Sequence, residues 1–222
     1  IDVVCLDLCY GAMIEIAYEI KDHAKYLVAS EEVTPGDGYE YDWLFKAFSS
    51  KAMLEGRLSV DAFCETVVDQ FSRRFSSTPG TTQSVILLSK MDATRAALDA
   101  FSDTLYKVAT TNVIRNEIAG IIYGQVEDFY NAPGDLNIDI YDMAYQISTR
   151  TDYADVEAAA LMSAIQVAVP FSWSSTASGS VYQQNLRASG LSVHFVSLDL
   201  NEEDKVIIKG HQTAYDKSYA GP

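Results

Sequence analysis

Cysteine is scarce in this chain of 222 residues, which has only Cys5, Cys9 and Cys64. Three thiols make no disulfide framework, and without a CxxC pair or a nearby histidine the Cys5/Cys9 spacing is no zinc pattern, so at least one free thiol is expected. Basic residues are few: 16 Lys and Arg face 31 Asp and Glu, a formal net charge of −15. That balance argues against nucleic acid or an anionic membrane as the main partner and would welcome a cationic one. No apolar run approaches the roughly 20 residues of a membrane-crossing helix, and the first residues show neither the basic region nor the cleavage pattern of a signal peptide. An EF-hand loop of D-x-D-x-D-G form is also missing, which weighs against a calcium-binding module.

What remains is 48% hydrophobic, enough for one good core, with no repeat array and no linker dividing two domains. Residues 1–8 read as a short buried strand, and 11–23 carry Met13, Ile14, Ala17, Tyr18 and Ile20 at helical spacing. "YLVASEE" reads as a second strand, followed by the shaped loop "VTPGDGYE", with Asp42 as N-cap of a helix over "WLFKAF". Ser59 caps a helix over about 60–76, "SVILLS" is a strand, and a helix spans about 91–109. "EIAGIIYGQVEDFYNA" fits either a helix or irregular chain, and Asp139 or Asp142 leads a short helix in "NIDIYDMAYQIS". An Ala-rich helix over 153–169 ends at Pro170, "WSSTASGSV" reads as loop, "GLSVHFVSL" as strand, and the polar tail holds one short strand, "KVIIK". This β-α-β grammar predicts a parallel sheet covered by helices, with too few strands to stand alone.

In order, "LDLCYGAMIEIAYEIKDHAKYLVASEEVTPGDGYEYDWL", "SVILLSKMDATRAALDAF", "IYDMAYQI" and "SGLSVHF" resemble the clostripain family of cysteine peptidases. The resemblance implies a caspase-like three-layer α/β/α fold with a mostly parallel sheet. It makes residues 1–222 the C-terminal, cysteine-bearing portion of one peptidase domain whose N-terminal strands come from another chain or segment. The family nucleophile is the third residue of an Asp-x-Cys motif, here Asp7-Leu8-Cys9, although Tyr10 and Gly11 replace the usual Leu-Met that follows. A thiol at a strand end with a helix starting at once would feel the positive helix terminus, which favours thiolate, and the Cys9 N–H is placed to hold an oxyanion. Cys5 and Cys64 read as core.

The same resemblance implies cleavage after Arg or Lys, with Asp7 and Asp37 as carboxylates of the S1 pocket and Ser30 and Trp43 lining it. A carboxylate suits that task because it makes a charge-assisted contact with a guanidinium or ammonium. A structural cap for Asp7 and ordinary turn chemistry for Asp37 are the alternatives. The family base is a histidine followed by glycine, and neither His23, His194 nor His211 has that neighbour; His23 also lies about 18 Å along a helix from Cys9. The histidine is therefore expected upstream, on a light chain that pairs non-covalently with this one. A catalytically inactive caspase-like binding or scaffold protein is the alternative. The resemblance further implies a bacterial secreted, periplasmic or cell-surface protein that matures by autoprocessing. It allows calcium dependence, although no calcium site is identifiable in the sequence.

Overall fold

Short strands and longer helices alternate along the chain, as the spacing of apolar residues demands: β1 (Val3–Cys5), α1 (Ile14–Glu19), β2 (Tyr26–Ala29), α2 (Tyr41–Phe48), α3 (Val60–Phe75), β3 (Thr82–Leu87), α4 (Met91–Val108), α5 (Asn112–Gln125), β4 (Asp135–Asp139), α6 (Ile140–Arg150), α7 (Asp155–Ala168), β5 (Phe171–Ser174) and β6 (Ser192–Val196). The structure, a computed structural model, describes residues 1–48, 55–56, 59–129, 135–177 and 187–196. The "KVIIK" segment and His211 lie outside them.

Period-2 alternation in the strands makes two cores. Leu27, Ala29 and Ile86 face one side of the sheet, where α1 and α4–α7 contribute Ala17, Met91, Phe101, Ile122, Ile147 and Leu161. Val28 and Val85 face the other, against Leu44 of α2 and Phe63, Val67 and Phe71 of α3. The result is helix, sheet, helix. Each fully buried aliphatic side chain contributes about 1.5–3 kcal/mol, so both cores are needed to offset chain entropy.

The main sheet has the order β1-β2-β3-β5, with β1 at an edge among the described residues. In place of the mostly parallel sheet expected, β1 pairs with β2 in parallel, whereas β2 with β3 and β3 with β5 are antiparallel. The register gives the reason: Ala29 pairs with Ser84 and Tyr26 with Leu87, so β3 starts at the end of the sheet where β2 stops. Among the described residues α2 and α3 lie between the two strands, in place of the single crossover helix of a parallel unit. A second, two-stranded sheet joins β4 to β6 and is tied to the Cys9 segment by a Met13–Ser192 bridge.

Helix ends follow their caps. Ser59 accepts from the Ala62 N–H, Thr111 from Ile114 and Asp139 from Asp142, which selects Asp139 over Asp142 as the cap of α6. Asp42 is not a cap: α2 begins one residue earlier, and Asp42 lies in its first turn, where a negative charge still suits the helix dipole. The ambiguous 112–125 stretch is helical, and Trp173 and Ser174 belong to β5 rather than to a loop.

Candidate active site

Cys9 sits on an excursion from the sheet. The Leu6 N–H donates to the Val28 carbonyl at 2.9 Å and the Ala12 N–H to the Ser30 carbonyl at 2.9 Å. Between these bonds the chain advances from 6 to 12 on one side and only from 28 to 30 on the other, so the intervening residues must bulge out. The Tyr10 N–H reaches the Glu32 carbonyl at 3.3 Å, and the Thr34 hydroxyl donates to the Leu8 carbonyl at 2.9 Å. Tyr10 has φ 55°, the left-handed conformation that no other non-glycine adopts among the described residues. For a bulky residue that costs about 1–3 kcal/mol, which the surrounding bonds must offset.

The excursion leaves Cys9 exposed. Its N–H is given to no acceptor among the described residues. The helix does not follow at once: α1 begins at Ile14, separated from Cys9 by Tyr10 to Met13, so the helix terminus is not adjacent to the thiol. Cys64 is buried, and burial pushes its thiol up to about 12. Cys5 is not core. It ends edge strand β1 as an exposed residue beside a groove of about 440 Å³ shared with Tyr39, Tyr41 and Phe45, and desolvation raises its thiol to about 11.

Asp7 is half-buried at the base of the excursion. Its Oδ2 accepts from the Tyr39 N–H at 3.1 Å and from the Tyr41 hydroxyl at 2.6 Å, while Oδ1 is buried without a partner. The loop that brings these donors turns at Gly38, with φ 57°. A Cβ there would lie 2.3 Å from Asp7 Oδ2, so only glycine lets the loop close on the carboxylate.

Asp37, the preceding residue, is at the exposed tip, 3.8 Å from Arg74. Ser30 is fully buried; its hydroxyl bonds the Glu32 carbonyl and lies 2.9 Å from the Thr82 hydroxyl, which places it behind the wall. Trp43 packs on the α2–α3 core and borders, with Gly38 and Arg74, a crevice of about 10 Å³. Asp7 and Cys9 therefore share the strand end, with Asp37 on the loop that grips Asp7; Ser30 is buried at the end of β2, and Trp43 borders a crevice with Gly38 of that loop.

A polar core that the sequence reading missed lies just past β2. Glu31 and Asp139 are buried against each other: Glu31 Oε2 accepts from the Gly190 N–H at 2.8 Å, and Asp139 accepts from the Asp142 N–H at 2.7 Å and the Ser189 N–H at 2.5 Å. Burial, together with the facing carboxyl, pushes Glu31 well up. Burial likewise raises Asp139 to about 6. Two glutamates directly after an apolar strand were the available signal. Glu32 bonds the next residue, its carboxylate accepting from the Val33 N–H, whereas Glu31 finds Gly190 and Asp139, far away in sequence.

His23 lies beyond α1, and the His194 N–H donates to Glu15 of α1 at 3.0 Å. No three carboxylate, thiol or imidazole groups among the described residues come together as a metal site. No helix among them is long and apolar enough to cross a membrane.

With that geometry in hand, residues 1–213 match the sequence model of the clostripain family, Peptidase_C11. The chain belongs to the clostripain family. Known structures agree on the fold. A zymogen C11 protease from Parabacteroides distasonis superposes with a TM-score of 0.66 at 16% identity, over 93% of this chain and 56% of that one. A cysteine protease of B. fragilis gives 0.65 at 17%, over 93% and 82%. A clostripain from Bacteroides thetaiotaomicron bound to a peptide inhibitor gives 0.62 at 18%, over 92% and 83%. This chain spans little more than half the length of the Parabacteroides protease. No curated protein matches it. The mixed α/β architecture is that of C11 cysteine proteases.

Proposed function

We propose that this chain is the cysteine-bearing portion of an endopeptidase that cleaves after Arg or Lys, with Cys9 as nucleophile. The observation that carries the proposal is the excursion at residues 7–11, which presents an exposed thiol, an uncommitted Cys9 N–H and a part-buried carboxylate within three residues of one another. The Cys9 thiolate attacks the scissile carbonyl, the Cys9 N–H donates to the oxyanion, and water hydrolyses the thioester. The Asp7 carboxylate holds the basic side chain, with Asp37 contributing at the loop tip.

A histidine is required to protonate the leaving amine, and the described residues put none beside Cys9. We assign it to a light chain of the same precursor, paired non-covalently along the edge of β1 that no described strand covers. A secreted bacterial setting fits a secreted C11 protease among the similar structures.

The test is hydrolysis of arginyl and lysyl peptides by the protein together with its upstream segment. Cys9→Ala is expected to abolish turnover, and Cys5→Ala and Cys64→Ala to retain it. Full activity in Cys9→Ala would remove Cys9 as the nucleophile, and no activity in the intact protein would leave a non-catalytic scaffold as the better reading.

A further inference from the structure

Buried carboxylate oxygens are seldom left without a donor, and Asp7 shows an uneven distribution of them. Oδ2 accepts two bonds, from the Tyr39 N–H and the Tyr41 hydroxyl, while Oδ1, buried out of water, accepts none from the described residues. A carboxylate has room for about four donors. The protein therefore fixes one oxygen and withholds every donor from the other.

The side chains that do the fixing are themselves fixed. Tyr39 is buried, donates its hydroxyl to the Leu6 carbonyl at 3.4 Å, and accepts from the Gln83 side-chain amide. Its ring meets Tyr41 edge-on at 6.3 Å. Tyr41 differs: its residue is 50% exposed and its ring leans on Phe45, yet its hydroxyl turns inward to Asp7 at 2.6 Å. Gly38 lets the loop press onto the carboxylate, since a Cβ would come within 2.9 Å of Oδ1 as well.

We propose that Tyr41 and the Tyr39 N–H clamp the Asp7 carboxylate so that Oδ1 faces an incoming guanidinium or ammonium, making Tyr41 a positioning residue for recognition of a basic P1 side chain. This rests on the reading of Asp7 as the S1 carboxylate. Preorganisation of this kind removes the cost of orienting the carboxylate when the cation arrives. The clamp also ties the two acidic residues together, because Gly38 follows Asp37 directly.

The experiment compares Tyr41→Phe with Asp7→Asn in the protein carrying its upstream segment. Substrates are matched peptides with arginine, lysine or norleucine at P1. Tyr41→Phe is expected to raise KM for the arginyl and lysyl peptides roughly tenfold, the scale of one charge-assisted hydrogen bond, to leave kcat and norleucyl hydrolysis in place, and to lower the melting midpoint by a few degrees, since that bond also holds the free protein. Unchanged KM, or an equal loss on basic and neutral substrates, would overturn the clamp. If Asp7→Asn removes the basic preference while Tyr41→Phe does not, the clamp fails and the S1 assignment stands. If Asp7→Asn leaves the preference intact, the S1 assignment fails and takes the clamp with it.

Discussion

Carboxylates are held out of water in two regions of this molecule, and the two regions treat them differently. Glu31 and Asp139 lie in the interior, joined to the backbones of Gly190, Asp142 and Ser189, and answer each other's charge by retaining protons. Asp7, at the strand end, has one oxygen doubly bonded and the other bare, with no second carboxyl pressed against it. The first arrangement joins β2 to α6 and to the segment before β6. The second leaves one oxygen without a donor among the described residues. Glu31 Oε1 is likewise buried without a hydrogen-bond partner, but Glu31 faces the Asp139 carboxyl and retains a proton, whereas the bare oxygen of Asp7 lies at the strand end two residues from Cys9.

The largest effect that separates the regions is on stability. Asp139→Ala removes the cap of α6 and strands the Ser189 N–H, and a loss of about 2–3 kcal/mol is expected in chemical denaturation. Asp139→Asn keeps a capping oxygen while removing one of two facing charges, and should cost far less at neutral pH. Asp7→Asn should leave the midpoint nearly unchanged, since its neutral amide oxygen still accepts from Tyr39 and Tyr41.

A second, smaller effect is the pH dependence of folding. Asp139 at about 6 and Glu31, well above its usual range, both hold protons in the folded chain after the unfolded chain has released them. Stability contributed by these two groups is complete below about pH 4 and declines as pH rises through 6. Glu127, raised mainly by burial to about 7 despite the nearby Arg187, acts in the same direction. Glu31→Gln should flatten the decline in melting temperature between pH 4 and pH 7, and an identical slope in that variant would remove the pair as its source.

The smallest expected effect lies at the loop tip. Asp37 is exposed and its contact with Arg74 is long, so Asp37→Ala should change stability by less than about 1 kcal/mol. Its effect on the selectivity for basic over neutral P1 should be weaker than that of Asp7→Asn. An Asp37 effect exceeding that of Asp7 would reverse their order as specificity groups.

Local pattern carried much of the fold into view. Helices over 60–75 and 91–108 were legible from spacing and caps, and the Asp-x-Cys motif marked the strand end. What spacing could not show are pairings between distant residues: the Tyr41 hydroxyl on Asp7, the Gly190 N–H on Glu31, and the antiparallel return of β3. Strand position alone predicts a core thiol at Cys5, but β1 is an edge strand among the described residues and exposes it. The excursion at Cys9 was also hidden, because a left-handed tyrosine is not a conformation that sequence preference selects. Its cost falls next to the proposed nucleophile, where local bonds rather than local propensity hold the backbone.

The most direct measurement is covalent labelling with an arginyl or lysyl chloromethylketone in the protein that includes its upstream segment. One equivalent is expected on Cys9, none on Cys5 or Cys64, whose thiols are held at about 11 and about 12, and none after Cys9→Ala. No labelling of Cys9 with that segment intact, or labelling that persists at another thiol in Cys9→Ala, would contradict the assignment.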